Sequence, residues 1–124
     1  MPLQCPKCKG LWLQVEKSME LGSDERSDEV ALQIVHCSVC GFKAVAIYEE
    51  SRRGTLDDES VHHTAYPADD EALGQVMDII TSCRNPQDAS CRCRGHQQAR
   101  QMLSERSARA GVDWQDPIPI VFVR

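Results

Sequence analysis

A small α+β domain, three strands followed by two helices, is what this sequence predicts, on three observations. Apolar and polar residues alternate or cluster in strand-like stretches before residue 50. Four apolar residues fall at helical spacing between Leu73 and Ile80, and all seven cysteines, with one of the four histidines, sort into two clusters of four. A chain of 124 residues and 13.9 kDa is one domain's worth, or two small modules that could not hold themselves together by apolar burial alone. Aromatic residues make up 5% of the chain and charged ones 27%, which suits a modest core.

The first strand is read from Leu11, Leu13 and Val15, which alternate with Trp12 and Gln14. The second runs from Val30 to His36, rich in Val, Leu and Ile, and the third from Phe42 to Tyr48, with Val45 and Ile47. The polar stretch Gly22–Glu29 between the first two is a hairpin tip. Around these strands lies the first cluster, Cys5-Pro-Lys-Cys8 and Cys37-Ser-Val-Cys40. A two-residue gap lets both thiolates of a tight turn point at one ion, and two such turns complete a tetrahedron of sulfurs, the arrangement of a structural zinc site. Gly41 and Gly10 are expected to help the backbone curl around the metal-bound sulfurs. A disulfide framework is the rival, but the cysteine count is odd and the first residues lack the apolar run of a signal peptide.

Two C-x2-C turns at the base of a hairpin, followed by a third strand, make residues 1–50 resemble a zinc ribbon, with Cys5, Cys8, Cys37 and Cys40 in the ligand positions. Within it, Arg26-Ser27-Asp28-Glu29 is similar to the acidic hairpin of the transcript-cleavage elongation factors. In that family an Asp-Glu pair enters the polymerase active site and helps to hold a catalytic metal. Here the hairpin is longer, Asp24-Glu25 adds a second acidic pair, and the third strand lacks the family's aromatic pattern, so a solvated acidic turn is the simpler reading.

Residues 51–68 show no sustained period and read as a loop or irregular extension carrying His62, His63 and Tyr66. Residues 69–124 read as a helical module packed on the ribbon as one domain. Asp69-Asp-Glu71 supplies an N-cap and an acidic first turn; Leu73, Val76, Met77 and Ile80 form the apolar stripe; and Cys83 follows at the helix end. Asn85-Pro86 is a turn, after which Cys91, Cys93 and His96 join Cys83 as a Cys3His zinc site, with His36 a possible substitute ligand beside Cys37. The second helix is expected from Gly95 or His96 to Ala110, stopped by Gly111, and Asp116–Val123, with two prolines, is expected to be an edge strand. Two zinc ions per chain follow, and metal binding of order 10 kcal/mol per isolated module would supply what the core lacks.

Charge is unevenly spread. Thr55–Cys83 holds seven acidic residues and no Lys or Arg, whereas Arg84–Ala110 holds six arginines against Asp88 and Glu105. Four thiolates with a divalent ion add −2, and three thiolates with a neutral histidine add −1, taking the formal charge from −5 to −8. That disfavours nonspecific nucleic-acid binding, although the Arg84–Arg109 segment offers a local grip on phosphate, or on carboxylates, through Arg84, Arg92, Arg94 and Arg100. No run of about 18 apolar residues exists for a membrane span. Reduced, metal-binding cysteines point to the cytoplasm. No nucleophile elbow, phosphate-cradling glycine loop or paired-carboxylate motif is present, and both candidate metal sites are filled by protein ligands. The expectation is a non-enzymatic interaction or adaptor module with a protein partner, associated through the zinc-ribbon resemblance with transcription or nucleic-acid machinery. The alternatives are a redox sensor that releases zinc on thiol oxidation, and a zinc enzyme.

Overall fold

A computed structural model describes residues 3–22, 29–51, 60–105 and 111–122. The acidic hairpin tip at 23–28, together with Arg106 and Arg109, lies outside the described residues. The elements are β1 (Leu3–Gln4), β2 (Leu13–Gly22), β3 (Glu29–Cys37), β4 (Lys43–Ser51), β5 (Ser60–Pro67), α1 (Asp70–Thr81), α2 (Arg94–Ser104), β6 (Ile118–Pro119) and β7 (Val121–Phe122). Among the described residues the strands make one antiparallel sheet of seven, in the order β6-β5-β4-β3-β2-β1-β7.

The expected three strands are present as β2, β3 and β4, but the sheet continues past them on both sides. β5 occupies the second half of the segment expected to be irregular, pairing Ala44–Ser51 with Ser60–Pro67 in unbroken register. The C-terminal run is more than an edge strand. β6 pairs with β5 and β7 pairs with β1, with Ile120 alone between them. The sheet therefore curls until its two edges meet across residues 118–122, and the Ile120 N–H donates to the His63 carbonyl at the seam, 2.8 Å.

Curling gives the sheet an inner and an outer face, each with its own core. Inside pack Leu3, Cys5, Leu13, Val35, Cys37, Ile120 and three alanines, Ala44, Ala46 and Ala65, whose small side chains suit the tight interior. Outside, Met19, Leu32, Ile34, Val45, Ile47 and Tyr66 meet the helices through Leu73, Val76, Ile79, Ile80, Ala99 and Met102. β3 is covered on both faces, which is why Val30–Val35 reads as a nearly continuous apolar run instead of a clean alternation.

α1 starts as expected: the Asp69 carboxylate caps it by accepting from the Ala72 N–H at 2.8 Å. α2 begins at Arg94 with Cys93 as its N-cap and ends at Ser104, short of the expected Ala110. Gly111 does not stop that helix. Its carbonyl accepts from the Asp69 N–H (2.9 Å), so the C-terminal segment is fastened to the start of α1 instead. The two helices touch closely near Gly95, where an added Cβ would stand 2.7 Å from the Ile79 carbonyl oxygen and 2.9 Å from Ser82 Oγ.

Candidate metal centres

The first cluster is built from two turns of the same design. Lys9 N–H donates to the Cys5 carbonyl and Gly41 N–H to that of Cys37, at 2.9 and 3.1 Å. Cys5 N–H and Cys37 N–H donate to the carbonyls of Gly10 and Phe42, both at 2.8 Å. The residue after the second cysteine of each turn is left-handed: Gly41 at φ 79° and Lys9 at φ 65°. The strained position in the first turn is thus Lys9, not Gly10. The β2–β3 register places Leu13 opposite Cys37 and brings the two turns together at one end of the curled sheet.

Cys5 Sγ lies 3.5 Å from Cys40 Sγ, and Cys8 Sγ lies 3.7 Å from Cys37 Sγ. All four sulfurs fall within 4.8 Å of one another, and none of the seven cysteines is in a disulfide. A tetrahedral ion with metal–sulfur bonds of about 2.3 Å demands sulfur–sulfur edges of about 3.8 Å. Two of the six edges are close to that length and the others stay within 4.8 Å, so the four donors could hold a thiolate-bound metal ion.

The second cluster gathers Cys83 from just after α1, Cys91 and Cys93 from the following loop, and His96 from the first turn of α2. Cys83 Sγ is 3.8 Å from Cys91 Sγ, and His96 Nδ1 is 3.3 Å from both Cys83 Sγ and Cys93 Sγ. A metal holding sulfur and nitrogen at about 2.3 and 2.0 Å would set the sulfur–nitrogen edges at about 3.5 Å. His96 is fully buried, and its Nε2–H donates to the Glu20 carbonyl at 3.0 Å, which leaves the Nδ1 lone pair facing the sulfurs. Glu20 N–H in turn donates to the Pro86 carbonyl at 2.7 Å and Gln87 Nε2 to the Ser18 carbonyl at 3.0 Å. The ligand loop is therefore laced to β2. His36 sits in β3 between Gln14 and Lys43 and belongs to neither cluster.

The thiols of each cluster differ in how readily they ionise. The Cys40 N–H, opposed by burial and helped by the Val39 N–H and neighbouring thiols, holds Cys37 down to about 6. The Phe42 N–H pulls on Cys40 the same way, but burial and the thiols of Cys5, Cys37 and Cys8 outweigh it and carry Cys40 up to about 11. In the second cluster the His96 N–H and ring bring Cys93 down to about 6, while burial, with the Cys93 and Cys91 thiols, pushes Cys83 up to about 11. Each site thus has one thiol that ionises readily and another that resists until positive charge arrives.

The two centres belong to opposite faces of the sheet. Cys5 and Cys37 are part of the inner core, whereas Cys83, with half-buried Cys91 and Cys93, packs on the outer one. The four arginines singled out from the sequence do not form one surface. Arg94 lines a cleft of about 450 Å³ between α1 and α2 together with Asp78, and Arg92 lines a hollow of about 370 Å³ with Arg100. Arg84 is exposed, and the half-buried Arg100 donates from its guanidinium to the carbonyls of Ala89 (2.8 Å) and Cys91 (3.4 Å) at the surface of the loop. It braces the ligand loop, a role that spacing along the chain could not show.

The remaining residues of interest sit on β5. His62 is exposed, Tyr66 packs on Trp114 with ring centroids 4.8 Å apart, and His63 is buried inside the curled sheet. His63 Nε2–H donates to Gln33 Oε1 at 2.7 Å across Ala46, and its ring meets Tyr48 edge-on. Burial lowers His63 to about 4, so the ring is neutral. No helix among the described residues is long and apolar enough to cross a membrane. No family model, curated protein or solved structure matches the chain, and the two four-donor clusters, each able to hold a metal ion, carry the functional reading on their own chemistry.

Proposed function

We propose that the protein is a zinc-binding interaction module without catalytic activity, its two zinc ions locking a surface for a partner protein. The observation that carries this reading is the closure of both clusters. Each brings four protein donors within 4.8 Å of one another, and four donors on one ion would complete a tetrahedron and leave no position for a substrate or an attacking water. Zinc is favoured among divalent ions by the sulfur-rich donor sets and the tetrahedral shape. Both sites also tie distant segments together, the first joining Cys5 to Cys40 and the second joining α1 to α2, as structural ions do. An association with transcription or nucleic-acid machinery is supported by the zinc-ribbon resemblance of residues 1–50 alone.

A redox-sensing role for the second centre is favoured by one observation: Cys91 and Cys93 are half-exposed at the edge of the cluster while Cys83 and His96 are buried. Metal analysis of the purified chain tests the main reading. Two zinc ions per chain are expected, falling to one in Cys83→Ser with loosening of α2, and an unchanged count in that variant overturns the ligand assignment. Mild peroxide should leave both ions in place; release of one, with loss of structure around α2, would favour the sensor instead.

A further inference from the structure

We propose that the pole of the molecule around the first metal centre is the docking surface for the partner, and that it takes an acidic, amphipathic peptide segment. The proposal rests on the interaction-module reading and assigns it a place and a chemistry. Leu11, Trp12 and Val39 are 44%, 57% and 65% exposed. They are neighbours: the Ser38 N–H reaches the Trp12 carbonyl (3.4 Å), so Trp12 on one arm of the centre lies beside Val39 on the other. The indole is not free to wander. A Cβ on Gly10 would stand 2.8 Å from Trp12 Cδ1 and 3.3 Å from its Nε1, so the ring is seated against the Gly10 backbone and held in place by the metal turn. A pre-positioned aromatic flanked by aliphatic side chains is the kind of anchor that dominates protein recognition surfaces.

Charge chooses the occupant. The chain has 19 acidic residues, yet none lies in residues 3–15 or 36–48, the two segments that form this pole. Lys7 and Lys9 stand exposed on the first turn, and Lys43 pairs with Glu16 at 3.8 Å. With the −2 of a four-thiolate divalent centre beneath them, these lysines leave the pole close to neutral, too weak a field to hold a polyanionic nucleic acid. Mobile ammonium groups around an apolar anchor do suit scattered carboxylates. Most of the remainder of the molecule is acidic and would repel the same carboxylates; the exposed Arg84, Arg92 and Arg94 beside the second cluster are the competing basic stretch, and an arginine variant tells the two apart. Leu11 and Val39 cannot stack on bases, but they can pack against aliphatic or aromatic side chains.

The test is selection of a random-peptide phage library on the zinc-loaded full-length chain, followed by titration of the synthetic winning peptide. Binding is read from the fluorescence anisotropy of a dye-labelled copy of the peptide, so that every variant, Trp12→Ala included, is measured in the same way. Winners should combine bulky apolar residues with Asp or Glu. Affinity should drop about ten-fold or more in Trp12→Ala and in the doubly reversed Lys7→Glu/Lys9→Glu, each still carrying two metal ions, weaken with salt, and stay within about two-fold in Arg92→Ala/Arg94→Ala. Peptides lost in the arginine variant but not in Trp12→Ala would overturn this surface and leave the interaction-module reading standing. No enriched peptide at all would sink both. Tighter, Trp12-dependent binding of an oligothymidylate, or self-association abolished by Trp12→Ala, would replace the acidic peptide with a nucleic acid or a second copy.

Discussion

Gly95→Ala and Gly74→Ala are the same chemical change on two helices, and the structure gives them opposite signs. Around Gly74, on the exposed side of α1, an added methyl meets nothing within 4 Å, so alanine should stabilise the chain by up to about 1 kcal/mol through helix propensity. At Gly95 the methyl would stand 2.7 Å from the Ile79 carbonyl oxygen and 2.9 Å from Ser82 Oγ. Ser82 can rotate, but Ile79 O is backbone, and restoring a contact of about 3.4 Å requires α1 and α2 to part by about 0.7 Å. Overpacking of that kind costs about 1–3 kcal/mol, which outweighs a propensity gain of at most about 1 kcal/mol. A net loss of about 1–2 kcal/mol is expected. Because Cys83 follows α1 and His96 opens α2, parting the helices also stretches the second cluster and leaves the first untouched. Urea unfolding of the zinc-loaded variants reads the stability, and chelator competition reads each ion, with about five-fold weaker retention expected at the second centre per 1 kcal/mol lost there. If Gly95→Ala raises the urea midpoint as Gly74→Ala does and keeps both ions equally tightly, the close helix contact is wrong.

The two turns of the first centre offer a second matched pair. Lys9→Gly relieves a left-handed lysine and should gain about 0.5–1 kcal/mol, whereas Gly41→Ala should lose about 1 kcal/mol; thermal unfolding distinguishes them, and equal shifts would show that the turns are not alike. Ile120→Ala, at the seam of the curled sheet and in the same core as Cys5 and Cys37, should cost about 2–5 kcal/mol and loosen the first ion before the second, as chelator competition would reveal. His63 stays neutral in the native state down to about pH 4, while the unfolded chain protonates it below about 6.5. Between those values the unfolded state binds more protons, so stability declines as pH falls, by up to about 3 kcal/mol. His63→Gln should flatten that slope in unfolding curves taken with both ions verified as bound; an unchanged slope would remove His63 from the account.

What could be read from the chain was local. The donors of the first cluster follow from turn spacing, those of the second partly from the count of cysteines left over, and α1 from its cap at Asp69 and its apolar stripe. β5 escaped because polarity hid it: Ser60–Pro67 puts His62, His63 and Thr64 in a row, and a histidine is tolerated inside the sheet only because Gln33, from two strands away, accepts its N–H. Closure of the sheet escaped for a similar reason, since pairing Leu3 with Phe122 leaves no trace in any window of sequence. Lys9 took a conformation that its side chain does not advertise, and Arg100 bonds to two backbone carbonyls of the ligand loop, contacts that spacing along the chain does not reveal.

The seam at residues 118–122 has a consequence for how the protein is made. β1 leaves the ribosome first, yet one of its two neighbours, β7, is translated more than a hundred residues later. At roughly 5–20 residues per second that interval is on the order of ten seconds. Through it, β1 has one open flank beside a metal turn whose four sulfurs are already all synthesised once Cys40 is complete. A metal ion bound at that stage would hold Cys5 and Cys37 together before the last strand arrives. Metal present during synthesis would then matter for closing the sheet as well as for the finished fold.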